Sequence, residues 1–288
     1  MRQAAAIVER ALDQLLPGAQ TAHGRVCEAM RYAVFAGGKR LRPFLTLSCA
    51  RLFGGPTGRA ARAAAAIEAL HTYSLIHDDL PCMDDDDLRR GQPTTHRRFD
   101  EATAVLAGDG LLTLAFEILS GAETHPDAEV RVELVRRLAE AAGANGMVGG
   151  QMMDMRAPDG GYGEQDIVLL QRLKTGALFE FSCEAGAILG QAGPEHRQRL
   201  IGFARDFGLV FQITDDLIDA RGSAADAGKA VGKDQAQGKA TMVSLHGVDG
   251  ARAEAERLAW RAHRALEPYG PAAEGLRRLP LSLLDRGS

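Results

Sequence analysis

HDDLPCMDDDDLRRG, residues 77–91, places six carboxylates (Asp78, Asp79 and Asp84 to Asp87) within ten positions and follows them at once with Arg89 and Arg90. The run ahead of it, AAIEALHTYSLI at 65–76, is apolar and unbroken, so a buried helix delivers these acids to its own C-terminal end. Like charges repel there, and carboxylates at a helix C-terminus oppose the macrodipole. A sequence that works against its own local stability marks a functional site. Hard divalent cations would relieve the conflict, because Mg²⁺ takes oxygen ligands and is usually held by one or two carboxylates plus substrate phosphates. The competing reading is a solvated acidic loop. A second acidic cluster, DDLID at 215–219, weighs against it.

Working outward, nearly every other segment reads at helical period. Ala and Leu dominate, β-branched runs are absent and no stretch alternates cleanly between apolar and polar residues. The expected helices run over 1–16, 20–36, 43–52, 59–79, 98–121, 126–143, 146–155, 164–190, 195–220, 242–267 and 271–284. Their breaks fall at Pro17-Gly18, Gly37-Gly38, GGPTG at 54–58, Pro81, APDGGYG at 157–163, Gly193-Pro194 and the Gly-, Ala- and Lys-rich loop 221–240. Neither a repeat nor a long linker divides the chain. The expectation is an all-α fold of ten or so helices in a single domain spanning residues 1–288.

Composition agrees. The chain has 288 residues, 45% hydrophobic and 25% charged, as a soluble globular protein with a sizeable core would. A net charge of −4 argues against nucleic acid as a partner. Cys27, Cys49, Cys82 and Cys183 are scattered without CxxC spacing, so no zinc site or disulfide framework is expected. The N-terminal segment carries Glu9, Arg10 and Asp13 where a signal peptide would be apolar. No segment approaches about 18 uninterrupted apolar residues, so no membrane span and a cytoplasmic location are expected.

Spacing places the candidate site residues. Asp215 and Asp219 are four apart and share a helix face, beside Asp216. Asp79 and Asp84 lie on either side of Pro81, so Asp84 must come from a loop that folds back. Two such clusters facing across a bundle would cage several divalent ions. GGKRLRP, 37–43, sets Lys39, Arg40 and Arg42 between a glycine stop and a proline start. Backbone donors at a helix N-terminus combined with basic side chains make an anion site. With Arg89 and Arg90 it suggests a second phosphate pocket independent of metal. Lys174 lies mid-helix in apolar surroundings, as a snorkelling side chain or as a cation for a phosphate. Lys229, Lys233 and Lys239 sit in a loop able to close over one, and spacing does not choose among them.

These motifs together resemble the trans-polyprenyl diphosphate synthases, of the bacterial short-chain farnesyl diphosphate synthase kind. GGKRLRP, HTYSLIHDDLPCMDDDDLRRG, GDGLLT, GGQMMD, RLKTGALF, FQITDDLID and the GK-containing loop follow in family order over essentially the whole length. The resemblance implies the isoprenoid-synthase fold, a bundle of mostly antiparallel helices around a deep cavity, usually as a homodimer. It implies that Asp78, Asp79 and Asp84 with Asp215, Asp216 and Asp219 hold three Mg²⁺ ions, with Mn²⁺ able to substitute. Lys39, Arg42, His71 and Arg90 would bind isopentenyl diphosphate. Arg89, Lys174, Thr175, Gln212 and Lys229 would surround the allylic diphosphate (dimethylallyl or geranyl), with Thr175 and Gln212 also near the developing cation. Asp78, Asp84, Lys174, Thr175, Gln212 and Asp215 would carry catalysis.

Tyr73 and Ser74 lie five and four residues before Asp78, one to one and a half turns deeper. In this family an aromatic side chain at that depth goes with a C15 floor. The implied product is therefore (2E,6E)-farnesyl diphosphate, with geranylgeranyl or geranyl diphosphate as the alternative. A terpene cyclase would carry an Asn/Ser/Glu second motif, and a non-catalytic partner subunit would have lost an acidic cluster. A di-iron oxidase would need Glu-x-x-His pairs. Asp85 to Asp87 carry no assigned role beyond supporting charge. The final LPLSLLDRGS carries little of the basic character common at that end in the family.

Overall fold

Helix α4 (Thr57–Asp78) explains how the bundle closes. Ala60, Ala61, Ala63 to Ala66 and Ala69 are all buried, and side chains this small let neighbouring backbones come close on every face. In a computed structural model of the chain, which describes residues 1–20, 22–157, 160–221 and 241–285, four of the helices that pack on α4 flank it in sequence. They are α1 (Arg2–Leu15), α2 (Gly24–Phe35), α3 (Leu41–Leu52) and α6 (Glu101–Ser120), with the four-residue α5 (Thr95–Arg98) leading into α6. Further along are α7 (Ala128–Ala142), α8 (Met147–Arg156), α9 (Glu164–Gln171), α10 (Ala177–Leu189), α11 (Pro194–Arg221), α12 (Met242–Ala265) and α13 (Glu274–Leu284). A 3₁₀ turn, Glu267–Ala273, links the last two. The architecture is all-α, as the helical period requires.

Two apolar cores share α10, which is buried on every side. Leu178, Phe181, Ala185 and Ile188 join the core of α1, α2, α4, α6 and α7. Phe179, Cys183 and Ala187 join that of α3, α11, α12 and α13. In the second core Phe179 meets Phe207 edge-on at 4.9 Å and Phe211 at 5.5 Å between ring centroids. Each fully buried ring is worth about 1.5–3 kcal/mol, so this ladder fixes the register of α11 and therefore the direction of the acids that follow Phe211.

The structure departs from the sequence expectations in three places. The stretch expected as the single helix 164–190 is interrupted by a π-helical turn, Arg172–Gly176. The loop after the first acidic cluster contains a small ribbon, β1 (Leu88–Arg89) against β2 (Gln92–Pro93), where no strand was expected. Its two-residue turn is Arg90-Gly91, with φ of 54° and 75°, the positive pair that a type I′ hairpin requires. Finally, α6 is 20 residues long with a hydropathy of 1.6 over its most apolar window, enough to cross a membrane by length and composition alone. Half of that window is buried against the bundle, where α6 packs on α4, α2 and α7 as a core helix.

Candidate functional site

The C-terminal end of α4 leaves carbonyl oxygens without helical partners, and the acidic loop supplies them. The Asp84 amide donates to the Asp78 carbonyl at 2.9 Å, the Asp85 amide to Leu80 at 3.2 Å and the Asp86 amide to Asp79 at 3.3 Å. This is the fold-back that Pro81 demanded, and it brings Asp84 beside Asp78. Asp85 takes φ 49° to make the turn. The remaining acids find work in the same loop. Asp86 lies 3.9 Å from Arg89, Asp87 pairs with Arg97 at 2.8 Å, and the Asp87 carbonyl accepts from the Thr94 amide.

The hairpin turn splays Arg89 and Arg90 in different directions. Arg89 donates to Asp79 through Nε at 2.7 Å and its terminal nitrogen at 2.6 Å. Arg90 donates to the Gly37 carbonyl in the glycine stop after α2. Gly38, at φ 134°, is required there twice over: a Cβ would sit 2.7 Å from the Arg90 guanidinium carbon. Adjacent arginines therefore serve different anchors, one the acidic loop and the other GGKRLRP.

Within GGKRLRP the three basic residues also divide. Lys39 is exposed, with Nζ 5.7 Å from the Phe211 ring centroid. Arg42 lies over Phe179 at 4.5 Å, and its Nε is buried without a hydrogen-bond partner among the described residues. Burial brings Arg42 down to about 10, Glu68 opposing and Arg90 reinforcing the fall. Arg40 corrects the sequence reading, which counted it among the anion-binding residues. It occupies the left-handed region (φ 48°), is 3% exposed, and is spent on Glu68 at 2.6 Å and the Val34 carbonyl at 2.7 Å. Burial outweighs chain position here, and Arg40 fastens the loop to α4. Glu68→Ala would strand this guanidinium and is expected to cost about 3–5 kcal/mol in stability, read by urea or thermal unfolding. A loss below about 1 kcal/mol, the scale of a surface pair, would remove the fastening role.

His71, half-buried three residues beyond Glu68, is held well below its usual value by burial and then by Arg42, Arg90, Arg89 and Arg40. Protonation of His71 is thus disfavoured in this basic pocket.

The opposite wall is built on the π turn. Lys174 pairs with Asp154 of α8 at 2.5 Å. The Thr175 hydroxyl donates to Gln212 Oε1 at 3.2 Å, and Gln212 Nε2 donates to Asp216 Oδ1 at 3.1 Å. Gln171 Nε2 takes the other Asp216 oxygen at 3.2 Å. Asp216 and Asp219 are buried and Asp215 half-buried. Between the two walls a cavity of about 690 Å³ runs from Asp78, Arg42, His71, Lys174 and Thr175 down to Tyr73, Ser74, His77 and Met147, Met152 and Met155 of α8. Burial pushes the Asp78 carboxyl up to about 6, with Lys174 opposing and Asp84 adding to the rise.

Among the described residues no three carboxylates, histidines or cysteines converge closely enough to hold an ion by themselves. The two acidic clusters stand on separate elements, the end of α4 with its loop and α11, and Mg²⁺ is an ion that completes its shell with water and substrate phosphate. The donors fit such an ion. All are carboxylate oxygens, and the paired amide donors on Asp216 are the kind of support that orients a ligating group. Two residues escaped sequence reading although GGQMMD was noted: Asp154, and Gln151, which lines the cavity with both amide atoms unpartnered among the described residues. Lys229, Lys233 and Lys239 lie outside the described residues.

Comparison with known proteins agrees with this geometry. The polyprenyl synthetase family matches residues 23–266. The chain is 43% identical to a farnesyl diphosphate synthase from Geobacillus stearothermophilus, covering 90% of each protein. It is 44% identical to a chloroplastic geranylgeranyl pyrophosphate synthase from Catharanthus roseus, covering 86% of this chain and 70% of that one. Among solved structures, an apo FPP/GFPP synthase from Zymomonas mobilis superposes with a TM-score of 0.91 at 47% identity, covering 98% of this chain and 97% of the other.

Proposed function

The chain belongs to the polyprenyl synthetase family and is a short-chain prenyltransferase, and from that premise we propose that it makes (2E,6E)-farnesyl diphosphate from isopentenyl diphosphate and the allylic diphosphates dimethylallyl and geranyl. One observation carries the chain length: Tyr73, 7% exposed, stands in the cavity wall beneath Asp78.

Enzymes of this family generally use a divalent metal. Here Asp78, Asp79, Asp84, Asp215, Asp216 and Asp219 would hold it, as three Mg²⁺ ions or Mn²⁺ in their place, and it would neutralise the leaving diphosphate. The chain's own residues do the rest. Lys174 and Arg89 add positive charge where the allylic C1–O bond breaks and its electron pair leaves with the diphosphate, and the family pattern assigns Lys229 to the same group. The Thr175 hydroxyl donates its hydrogen bond to Gln212, so its oxygen lone pairs are left to face the allylic cation. Lys39, Arg42, Arg90 and neutral His71 seat isopentenyl diphosphate. Its alkene pair attacks C1, forming the new C–C bond, and the resulting tertiary cation loses a C2 proton to the departed diphosphate. The apolar cavity keeps water from the cation. A single cytoplasmic domain acting as a homodimer completes the reading, with Val105, Leu106 and Val132 exposed on α6 and α7 as apolar surface for a second copy.

Purified protein given dimethylallyl and isopentenyl diphosphates with Mg²⁺ should release diphosphate and mainly C15 product. Tyr73→Ala should lengthen the product. Mainly C20 chains from the wild type, or an unchanged product from Tyr73→Ala, would place the floor elsewhere.

A further inference from the structure

Tyr73 does not hold its own position. Its ring meets that of His77, one turn nearer the mouth on α4, edge-on at 5.5 Å between centroids and 85° between planes. His77 also lines the cavity, and its Nε2 lies 3.1 Å from the Val105 carbonyl and 4.0 Å from Asp109 Oδ1 on α6. Val105, Gly108 and Asp109 share one face of α6, and the imidazole rests on it. Only glycine leaves the room. A Cβ at position 108 would stand 2.1 Å from His77 Nε2 and 2.5 Å from Cδ2. The ring is therefore clamped between the bare backbone of α6 and the edge of Tyr73.

We propose that His77, seated against Gly108, is a positioning residue that sets product length by holding Tyr73 as the floor of the cavity. The inference rests on the reading of Tyr73 given above and extends it to a second helix. It predicts opposite effects from the two sides of the clamp. Without the imidazole, Tyr73 loses its backing and can swing aside, so the cavity deepens. With a methyl group at 108, the imidazole has to leave α6 and moves toward Tyr73 and the lumen, so the cavity shortens. A residue that merely stabilised the fold would change yield and melting temperature and leave the product ratio alone.

The experiment is product analysis of wild type, Tyr73→Ala, His77→Ala, His77→Phe, Gly108→Ala and the double variant H77A/G108A, each with dimethylallyl and isopentenyl diphosphates. His77→Ala should raise the C20:C15 ratio about tenfold, the discrimination of one methylene in an apolar pocket. His77→Phe, which keeps a ring against Tyr73, should restore mainly C15. Gly108→Ala should shift product toward C10, and the double variant should behave like His77→Ala, because the methyl then has no ring to push. If Tyr73→Ala lengthens the product while His77→Ala leaves the wild-type ratio, the clamp is refuted and the floor stands. If Tyr73→Ala itself changes nothing, the floor reading fails first. Should Gly108→Ala not fold, the His77 arms decide the matter alone.

Discussion

Asp78→Asn is expected to lower kcat about 10³-fold, the upper range for removing one preorganised charge-stabilising group, while the protein stays folded and becomes no less stable. Asparagine keeps the shape of the side chain and removes only the charge. That charge is costly to the unliganded fold, since burial and the neighbouring Asp84 push the Asp78 carboxyl up to about 6. Its loss should therefore leave the melting temperature unchanged or raised, the usual signature of a site strained for function. Asp79→Asn should behave differently. Burial raises the Asp79 carboxyl too, with Arg89 opposing the rise, but Asp79 is matched by Arg89 at 2.7 and 2.6 Å, so its neutralisation leaves that guanidinium without its anion and should cost stability as well as rate. Steady-state kinetics beside thermal unfolding of both variants separate the two roles. A kcat loss below about tenfold for Asp78→Asn, less than one such group is worth, would exclude Asp78 from the ionisation step.

Much of this site is legible in the sequence. Pro81 forced Asp84 onto a returning loop, and the backbone bonds from Asp84, Asp85 and Asp86 to the end of α4 are that return. The i, i+4 spacing of Asp215 and Asp219 placed them on one helix, and the Phe179–Phe207–Phe211 ladder holds that helix in register. The illegible features were of three physical kinds. A π turn adds one residue to a helical loop without changing the residue types that favour helix, so RLKTG read as uninterrupted. Partnership was hidden as well: Arg40 stands between Lys39 and Arg42 in a basic run, and only the fold shows its guanidinium turned inward to Glu68. Gln151 and Asp154 lacked a pattern, because a lone amide and a lone acid on a methionine-rich helix carry no signal until the cavity wall and Lys174 are seen beside them. The hairpin at 88–93 did leave a trace in Gly91, but two-residue strands are too short for alternation to register.

Gly150→Ala is expected to lower kcat/KM for the allylic substrate about 100-fold, the loss associated with misplacing a catalytic group by about 1 Å. Gly150 lies on α8 where it crosses the π turn. A Cβ there would stand 2.2 Å from the Lys174 amide nitrogen, 2.6 Å from its Cα and 2.8 Å from the Leu173 carbonyl carbon. All three are backbone atoms, so no rotamer change relieves the clash and one element must back away from the other. Overpacking of this kind costs about 1–3 kcal/mol, offset in part by about 1 kcal/mol from alanine's better helix propensity. The stability change should be small beside the kinetic one. The displaced turn carries Lys174 and Thr175, and with them the Asp154 pair and the Thr175–Gln212–Asp216 chain. The isopentenyl side rests on α3, α4 and the hairpin, so its KM should stay close to wild type. Gly202→Ala is the control, since nothing lies within 4 Å of a Cβ at that position on α11, and it should leave both parameters unchanged. Equal losses for both substrates in Gly150→Ala would indicate general damage, and wild-type kinetics would show that the crossing of α8 over the π turn does not position Lys174.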